Sequence, residues 1–384
     1  MIRFCFFSNY LNHHQLPFCL EMVKLTGGSF VFVETEELPQ KRKELGYKSL
    51  GEQYDFVLNA TKGVEFEKQA MEIAKSADVM IFGSAPEKYL RARMKENKLT
   101  FRYSERLFKR GERDALRRVK HTARNLPYRN KRLYYLFSSA YAAKDYSRCF
   151  VRPNKMFKWG YFPETKRYDN FDEMISAKCP HSILWAGRLI DWKHPEMPIQ
   201  LAKRLREDGF DFELGIIGVG VMEAELRQMI EKEQLESYVH MLGAMSPDKV
   251  REYMESSEIY LFTSDFNEGW GAVLNEAMNS GCALLASHAI GAVPFLLHNG
   301  ENGYVYNYKH DSPDEAYEKL KMLMSSRELC REYGARAYET IRDEWCADVA
   351  AERICDLANA IESGRDLNIY EQGPCSVAGL LNQY

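Results

Sequence analysis

Short apolar runs alternate with amphipathic stretches along most of the chain. In the first half, residues 2–7 and 29–34 are strand-like, and they flank a helix-like stretch that starts at Pro17. A second helix-like stretch, 65–76, precedes the apolar run 78–83. Since regular alternation of strands and helices is typical of a parallel sheet covered by helices, the pattern predicts an α/β domain here.

A clearer series of the same kind runs from residue 182 to residue 287. Apolar strands alternate there with helical stretches, and the last helix is predicted over 270–280. This regularity predicts a second doubly wound α/β domain. The segment 154–180 is rich in Lys, Pro, Asp and Asn and has no clear period, so the hinge is expected within it.

These patterns define the expected domain organisation. The N-terminal domain is predicted over residues 1–165 and the C-terminal domain over 178–346. A last amphipathic helix followed by a polar tail, 347–384, is expected to pack back on the N-terminal domain.

Composition excludes several classes of protein. With 384 residues, of which 45% are hydrophobic and 28% charged, the chain is an ordinary folded protein and not a disordered, collagenous or disulfide-scaffold one. Its apolar runs are far shorter than the roughly 20 residues that span a bilayer, so a cytoplasmic location is expected. The nine cysteines include no C-x-x-C pair, which favours free thiols.

The charge is unevenly distributed. The net charge is −3, yet residues 106–132 contain eleven Lys or Arg and only two Asp or Glu. Two interpretations of this basic segment stay open: a solvated helix face, or a surface that docks on anionic lipid, which would make the protein peripheral on the inner face of the membrane. Nucleic acid is not expected as a partner.

The most informative segment for chemistry is 265–278. A strand ends near Ser264, a glycine-containing turn follows and a helix begins, which is where open α/β sheets bind ligands. Glu268 in the turn and Glu276 in the helix suit two parts of one extended, polyhydroxylated ligand. The amides of Gly269 and Gly271 at the helix start are expected to face negative oxygens.

Here the chain resembles the retaining glycosyltransferases of family 4, also called glycosyl transferases group 1. The resemblance covers about residues 180–310 and includes the Glu-x7-Glu signature ending in Glu276-Ala277-Met278. It also includes Gly187-Arg188 followed by Lys193, Gly218-Val219-Gly220, Leu242-Gly243, Gly291-Ala292-Val293-Pro294 and Asn302-Gly303. The resemblance implies the GT-B fold, an α/β architecture with two doubly wound Rossmann-like domains facing a cleft.

The resemblance also implies roles for individual residues. Arg188 and Lys193 would grip the donor diphosphate, Glu268 the donor sugar and Glu276 the ribose, with Gly243 and Ala244 near the base. A guanidinium and an ammonium are suited to the charge that grows on a diphosphate leaving group, so they would replace a metal ion. The catalytic residues expected are thus Arg188, Lys193 and Glu268, and the donor-binding residues are Gly187, Gly218, Gly243, Gly269, Trp270, Gly271 and Glu276. No cofactor is expected.

The N-terminal half departs from the family pattern. Its first loop, 9–15, lacks the paired glycines of many members, and a later loop, Phe82-Gly83-Ser84-Ala85, lacks their usual histidine. The acceptor-side candidates in this half are His13, His14, Ser84 and Glu105, although two adjacent histidines cannot both point the same way.

Other sites are disfavoured. Asp211-Phe212-Glu213 precedes an apolar strand and is better explained as a solvated strand entrance than as a metal site, and His121 and His181 are expected to have surface or packing roles. A nicotinamide site is not expected because Glu223 occupies the place of the third glycine of the dinucleotide motif.

The leading hypothesis is a metal-independent, retaining glycosyltransferase of cell-surface polysaccharide assembly, moving a sugar from a nucleoside diphosphate sugar to a glycan or lipid-linked acceptor. A non-catalytic nucleotide-sugar-binding partner subunit and another GT-B enzyme, such as a phosphorylase or an inverting transferase, are the alternatives.

Overall fold

The computed structural model describes residues 2–38, 50–109, 115–308 and 313–382. The chain divides into two compact units. Unit 1 comprises Met1–Glu164 and Trp345–Tyr384, and unit 2 comprises Thr165–Glu344. Each unit is built around one sheet.

The sheet of unit 1 has seven parallel strands, with the first strand near its centre. Their order is β3-β2-β1-β4-β5-β6-β7. The strands are β1 Phe4–Ser8, β2 Val31–Glu34, β3 Val57–Asn59, β4 Val79–Phe82, β5 Thr100–Ser104, β6 Leu133–Phe137 and β7 Met156–Lys158. The described helices of this unit are α1 Leu16–Leu25, α2 Val64–Ser76, α3 Glu87–Lys95, α4 Ala115–Asn125, α5 Ala142–Ser147 and, from the end of the chain, α14 Ala347–Glu362.

The core of unit 1 is rich in aromatic residues. Its central strands are covered on both faces. Every residue of β1 and β4 is buried. The Phe6 ring packs edge-on against Phe18 of α1 and Phe32 of β2. The only fully buried arginine of the described residues, Arg93 of α3, donates to four main-chain carbonyls and to Thr100 Oγ1. Because all its donors are used, this buried charge fastens α2, α3 and β5 together.

The sheet of unit 2 has six parallel strands in the order β10-β9-β8-β11-β12-β13. The strands are β8 Cys179–Ala186, β9 Glu213–Ile217, β10 Val239–Gly243, β11 Ser257–Phe262, β12 Ala283–Ser287 and β13 Tyr304–Tyr306. The described helices are α6 Phe171–Ser176, α7 Glu196–Glu207, α8 Glu223–Lys232, α9 Pro247–Ser256, α10 Val273–Asn279, α11 Val293–Leu296, α12 Asp314–Met324 and α13 Arg327–Asp343. All residues of β11 and β12 are buried, as expected for central parallel strands.

The prediction of two doubly wound α/β sheets is confirmed, but some elements differ. The helix expected over 270–280 begins only at Val273, because Gly271 has a φ of 90° and cannot belong to a helix. The segment 154–180 contains β7 and α6, which are too short to give a clear period. Of the basic segment 106–132, residues 110–114 lie outside the described part. Within the described residues, no helix is both long and apolar enough to cross a membrane.

Candidate functional site

The strand order of unit 2 reverses between β8 and β11. From β8 the chain continues to β9 on one side, and from β11 it continues to β12 on the other side. The loops that leave the carboxyl ends of these two strands therefore separate, and open α/β sheets bind ligands at such a point. The predicted catalytic residues Arg188, Lys193 and Glu268 all lie in these two loops.

The loop after β8 carries both predicted diphosphate-binding cations. Arg188 is exposed, and its guanidinium carbon lies 5.7 Å from the centre of the Trp192 ring. Lys193 ends a short 3₁₀ turn, and its Nζ lies 4.8 Å from the centre of the same ring. Since an aromatic face attracts cations, one indole holds two like charges in the same loop.

Lys193 and Glu268 form an ion pair across the two loops. Lys193 Nζ donates to Glu268 Oε2, and the side chains are 13% and 12% exposed. Ser264 Oγ donates to the same carboxylate oxygen at 3.1 Å. The cation and the carboxylate neutralise each other in this structure, so an entering anionic ligand must compete with Glu268 for Lys193.

Hydrogen bonds to main-chain carbonyls connect the two loops. Thr263 Oγ1 donates to the carbonyls of Lys193 and His194 at 2.8 and 3.0 Å and accepts from Trp185 Nε1 at 2.9 Å. The Asp265 amide donates to the Trp192 carbonyl at 3.0 Å. The Lys193–Glu268 pair thus lies between two loops that are hydrogen-bonded to each other.

Two of the predicted glycines are required by close packing. Gly218 has a φ of 139°, and a β-carbon there would lie 1.8 Å from the Gly187 carbonyl oxygen. Gly271 has a φ of 90°, and a β-carbon there would lie 2.6 Å from the Phe262 ring. Gly243, at the end of β10, has open space around it. Gly218 therefore lets the loop after β9 pack against the loop after β8, and Gly271 lets the turn before α10 pack against β11. These packing roles do not depend on a ligand.

The turn before α10 carries three of the predicted donor-binding residues. Gly269 and Gly271 precede α10 instead of forming its first turn. The Trp270 side chain is buried and donates from Nε1 to Asn275 Oδ1 at 2.9 Å, and its role in donor binding stays a prediction. Glu276 lies within α10 and is half-buried; burial raises the pKa of its carboxyl group, and Arg251 partly offsets this.

His194 is a half-buried residue at this edge that the sequence does not indicate. Its Nδ1 lies 2.8 Å from Glu196 Oε1, and its Nε2 lies 3.0 Å from Tyr308 OH and 3.8 Å from Asp265 Oδ2. Burial alone would lower the pKa of His194, but the hydrogen bonds and charges of Asp265 and Glu196 prevail and raise it to about 9. Only Glu196 is close in sequence, so the other two partners give no local signal.

In unit 1 the strand order reverses between β1 and β4, and the loops there carry three acceptor-side candidates. His13 and Ser84 are exposed. The His14 ring stacks on Tyr161 at 5.8 Å, and the two histidine rings lie 3.8 Å apart. The structure thus places these residues on neighbouring loops of one unit, and their proposed role stays a prediction.

Two carboxylates of unit 1 are already engaged in hydrogen bonds. Glu105 Oε1 accepts from Tyr161 OH at 2.6 Å, and its Oε2 accepts from Lys109 Nζ at 2.6 Å. Glu34, which the sequence does not single out, accepts from the Leu11 amide at 2.9 Å. Because Leu11 belongs to the 9–15 loop, this hydrogen bond supports the loop from β2. Burial raises the pKa of the Glu34 carboxyl group.

The disfavoured metal pair lies away from these loops. Asp211 and Glu213 are exposed at the amino end of β9, the edge opposite the Lys193–Glu268 pair. His181 Nδ1 lies 3.1 Å from the Asp211 carbonyl oxygen, and the His121 ring packs edge-on against Phe108. These contacts agree with packing roles.

The family comparison coincides with unit 2. Residues 169–340 match the model of glycosyl transferases group 1. Unit 2 is therefore similar to glycosyl transferases group 1 over almost its whole length. The matched segment contains Arg188, Lys193, Glu268 and Glu276, the residues on which the resemblance rests.

Known proteins resemble this domain and, more distantly, the whole chain. The GtfA subunit of the UDP-N-acetylglucosamine–peptide N-acetylglucosaminyltransferase of Streptococcus pneumoniae is 24% identical over 174 residues, 45% of this chain and 33% of that protein. The amylovoran biosynthesis glycosyltransferase AmsK of Erwinia amylovora is 30% identical over 131 residues, 33% of this chain and 32% of that protein. The chain thus spans about a third of the length of these curated relatives.

The fold comparison covers both units. The crystal structure of Anabaena HepE in complex with UDP matches 94% of this chain and 100% of that chain, with a TM-score of 0.69 and 14% identity. The predicted GT-B fold is therefore confirmed, and this likeness shows the fold alone.

Proposed function

We propose that this protein is a glycosyltransferase that moves a sugar from a nucleoside diphosphate sugar to a glycan or lipid-linked acceptor in the assembly of a cell-surface polysaccharide. The observation that carries the proposal is the Lys193–Glu268 pair, with Arg188 beside it, at the strand-order reversal of unit 2. AmsK is named for amylovoran biosynthesis, and HepE was crystallised with UDP, which supports this substrate class.

The chemistry follows from where charge develops. The bond between the sugar C1 and the diphosphate oxygen breaks, and its electron pair passes to that oxygen. A bond from C1 to the acceptor oxygen forms, and the acceptor proton is released. Because negative charge on the diphosphate grows along this path, Arg188 and Lys193 stabilise the transition state more than the ground state.

The ion pair explains how Glu268 becomes available to the sugar. When a phosphate oxygen replaces Glu268 as the partner of Lys193, the carboxylate is left with Ser264 and can accept from a sugar hydroxyl. The ammonium group keeps one anionic partner throughout, and the released carboxylate stays in the site as a hydrogen-bond acceptor. Glu276, within α10, is the proposed acceptor for the ribose hydroxyls.

Metal independence and retention of configuration belong to the same proposal. Two fixed cations near one indole supply the charge that a divalent ion would otherwise provide. Retention rests on the family resemblance. Initial rates with and without excess EDTA test the first point, and rescue of a lost activity by Mg²⁺ would refute it. The anomeric configuration of the product, read by NMR, tests the second.

A panel of nucleoside diphosphate sugars tests the function itself. We expect slow hydrolysis of at least one donor, and thermal protection by the matching nucleoside diphosphate. Protection without turnover, in the presence of acceptor, would favour a non-catalytic nucleotide-sugar-binding subunit. No response to any nucleotide would refute the proposal.

We further propose that unit 1 docks on anionic membranes through α4. Leu116 and Val119 of this helix are 85% and 66% exposed, and they lie one turn apart on one face. Arg117, Arg118 and Lys120 are exposed beside them. An apolar stripe flanked by cations complements an anionic bilayer surface, and a lipid-linked acceptor would be presented there.

A further inference from the structure

His194 is half-buried beside the proposed site, yet the mechanism above does not use it. We propose that protonated His194 is a positioning residue that ties the Lys193 turn to the loop carrying Glu268 and so sets the geometry of their ion pair. The inference rests on the proposed function only for the role of that pair in catalysis.

The backbone of His194 indicates a conformation held by its contacts. Its φ is 50°, in the left-handed region that non-glycine residues seldom adopt. Residues held there persist where surrounding interactions over-determine them. Here the surrounding interactions are those of the imidazole and the hydrogen bond from Thr263 Oγ1 to the His194 carbonyl.

Three elements present acceptors to the imidazole. Glu196 comes from the start of α7, Asp265 from the loop after β11, and Tyr308 from the segment after β13. The adjacent cation in the chain is Lys193, whose ammonium group is paired with Glu268. The charged form donates from Nδ1 to Glu196 and from Nε2 to Tyr308 OH, and its charge also attracts Asp265 Oδ2 at 3.8 Å, whereas a neutral imidazole carries no charge to attract either carboxylate. The raised pKa of His194, about 9, agrees with the charged form.

The contacts of Asp265 connect His194 with the catalytic pair. The Asp265 amide donates to the Trp192 carbonyl, and the Asp265 carbonyl accepts from the Glu268 amide at 3.1 Å. Holding the Asp265 carboxylate therefore holds the turn that carries Glu268, while the His194 backbone continues directly into Lys193. One charged ring thus controls both ends of the ion pair.

Hydrogen–deuterium exchange measures this tie without any donor. The test variant is His194→Asn, because asparagine tolerates the left-handed region but carries no charge. The matched control is His181→Asn, since His181 also has a left-handed φ, 57°, in the same unit but near the amino end of β8. At pH 7 we expect peptides over 187–196 and 263–270 to exchange about tenfold faster in His194→Asn and to be unchanged in the control, as for loss of one charge-assisted hydrogen bond.

The pH dependence separates charge from mere packing. In the unmodified protein, exchange of the same two peptides, corrected for the intrinsic rate, should rise as pH increases from about 6.5 to 9, and this rise should be absent in His194→Asn. The His194 C2 proton should titrate well above pH 7, and Asp265→Asn should move its midpoint down.

Three results would overturn the inference: equal exchange in the two asparagine variants, an unmodified protein whose loops ignore pH between 7 and 10, or a His194 midpoint near 6.5. If His194→Asn does not fold, the last two measurements still decide. Because none of them needs a donor, absence of glycosyl transfer would leave the inference standing, and its failure would leave the proposed function standing.

Discussion

The two units share a topology but place different chemistry at the strand-order reversal. In unit 2 the loops after β8 and β11 contain Arg188, Lys193, Asp265 and Glu268. Lys193 forms an ion pair with Glu268 there, and Asp265 lies within ion-pair distance of His194. In unit 1 the corresponding loops, 9–15 and 83–86, contain no lysine, arginine, aspartate or glutamate. Topology alone brings two loops together, and the side chains decide what they bind.

The difference suggests a division of labour. A preorganised set of cations is suited to a diphosphate, whose charge must be stabilised as it grows. Histidine, serine, asparagine and glutamine side chains, as in the unit 1 loops, are suited to a hydroxyl-rich acceptor, which carries no compensating charge. Each unit also supports its loop differently, through Thr263 and His194 in unit 2 and through Glu34 in unit 1.

The largest expected effect removes the cations of unit 2. Lys193→Ala should lower kcat for donor hydrolysis by about 100-fold or more, about 3 kcal/mol of barrier, because one preorganised charge is lost and Glu268 loses its partner. Arg188→Ala, whose side chain is exposed, should cost at least about tenfold with the fold intact. Steady-state kinetics with circular dichroism as a folding check would show this.

The matched control is Lys249→Ala, which removes an exposed lysine that pairs with Glu252 in the same unit. It should leave turnover unchanged. Normal turnover in a folded Lys193→Ala variant would show that Lys193 does not act in the site. The proposed contrast in charge between the two units would then have no catalytic meaning.

Much of unit 2 is predictable from the sequence, because its site is formed by short segments next to strand ends. The motifs around Arg188, Lys193 and Glu268 indicate these three residues, and the folded chain brings them together. The burial of Trp270 is not predictable in this way, since nothing local shows that its partner Asn275 lies in the core. The contacts of His194 with Asp265 and Tyr308 leave no sequence signal because they form only when distant strands pair.

Unit 1 is less predictable for a physical reason. Its short strands β3 and β7 have only three residues each, too few to show a period. Its loop support is Glu34, a single carboxylate whose partner Leu11 is contacted through the main chain, and main-chain contacts leave no trace in residue types. The roles of the acceptor-side residues consequently stay predictions, whereas the proposed donor-side residues Lys193 and Glu268 contact each other directly.

The second prediction tests the support of the unit 2 loops through pH. His194 has a folded pKa of about 9 against 6.5 when exposed, so its stabilisation is complete below pH 6.5 and is lost as pH rises to 9. The free energy of unfolding of the protein relative to His194→Asn should therefore shrink by about 2–3 kcal/mol across this window. Urea unfolding at several pH values measures it, and a difference that is constant with pH would contradict the protonated assignment.

The third prediction concerns the surface of unit 1. Replacing Arg117, Arg118 and Lys120 together with Gln should weaken binding to vesicles containing phosphatidylglycerol by about tenfold, because each basic residue near an anionic surface contributes up to about 1 kcal/mol, reduced by salt. Co-sedimentation at low and high salt measures this. Donor hydrolysis should not change, since the cations of the donor site are in unit 2.

A matched triple variant controls for charge alone. Lys62, Lys68 and Lys75 are exposed lysines of the same unit, each within ion-pair distance of a glutamate. Changing all three to Gln should leave vesicle binding nearly intact. If the α4 variant binds anionic vesicles as well as the unmodified protein does, or if binding to neutral and anionic vesicles is equal, α4 is a solvated helix face.

The smallest expected effect sharpens the comparison from the side of unit 1. A β-carbon at Gly51 would lie 2.5 Å from Glu34 Oε1, the buried oxygen that accepts from the Leu11 amide. Gly51→Ala should therefore displace the carboxylate and lower the free energy of unfolding by about 1–2 kcal/mol. Gly379→Ala, in the same unit with open space around the new carbon, should change the free energy of unfolding by no more than about 0.5 kcal/mol.

Adding Glu34→Ala to Gly51→Ala should abolish the clash, so the effects of the two changes on the free energy of unfolding should be less than additive. Full additivity in urea unfolding would mean that Gly51→Ala does not act through the Glu34 carboxylate, and this prediction would be wrong.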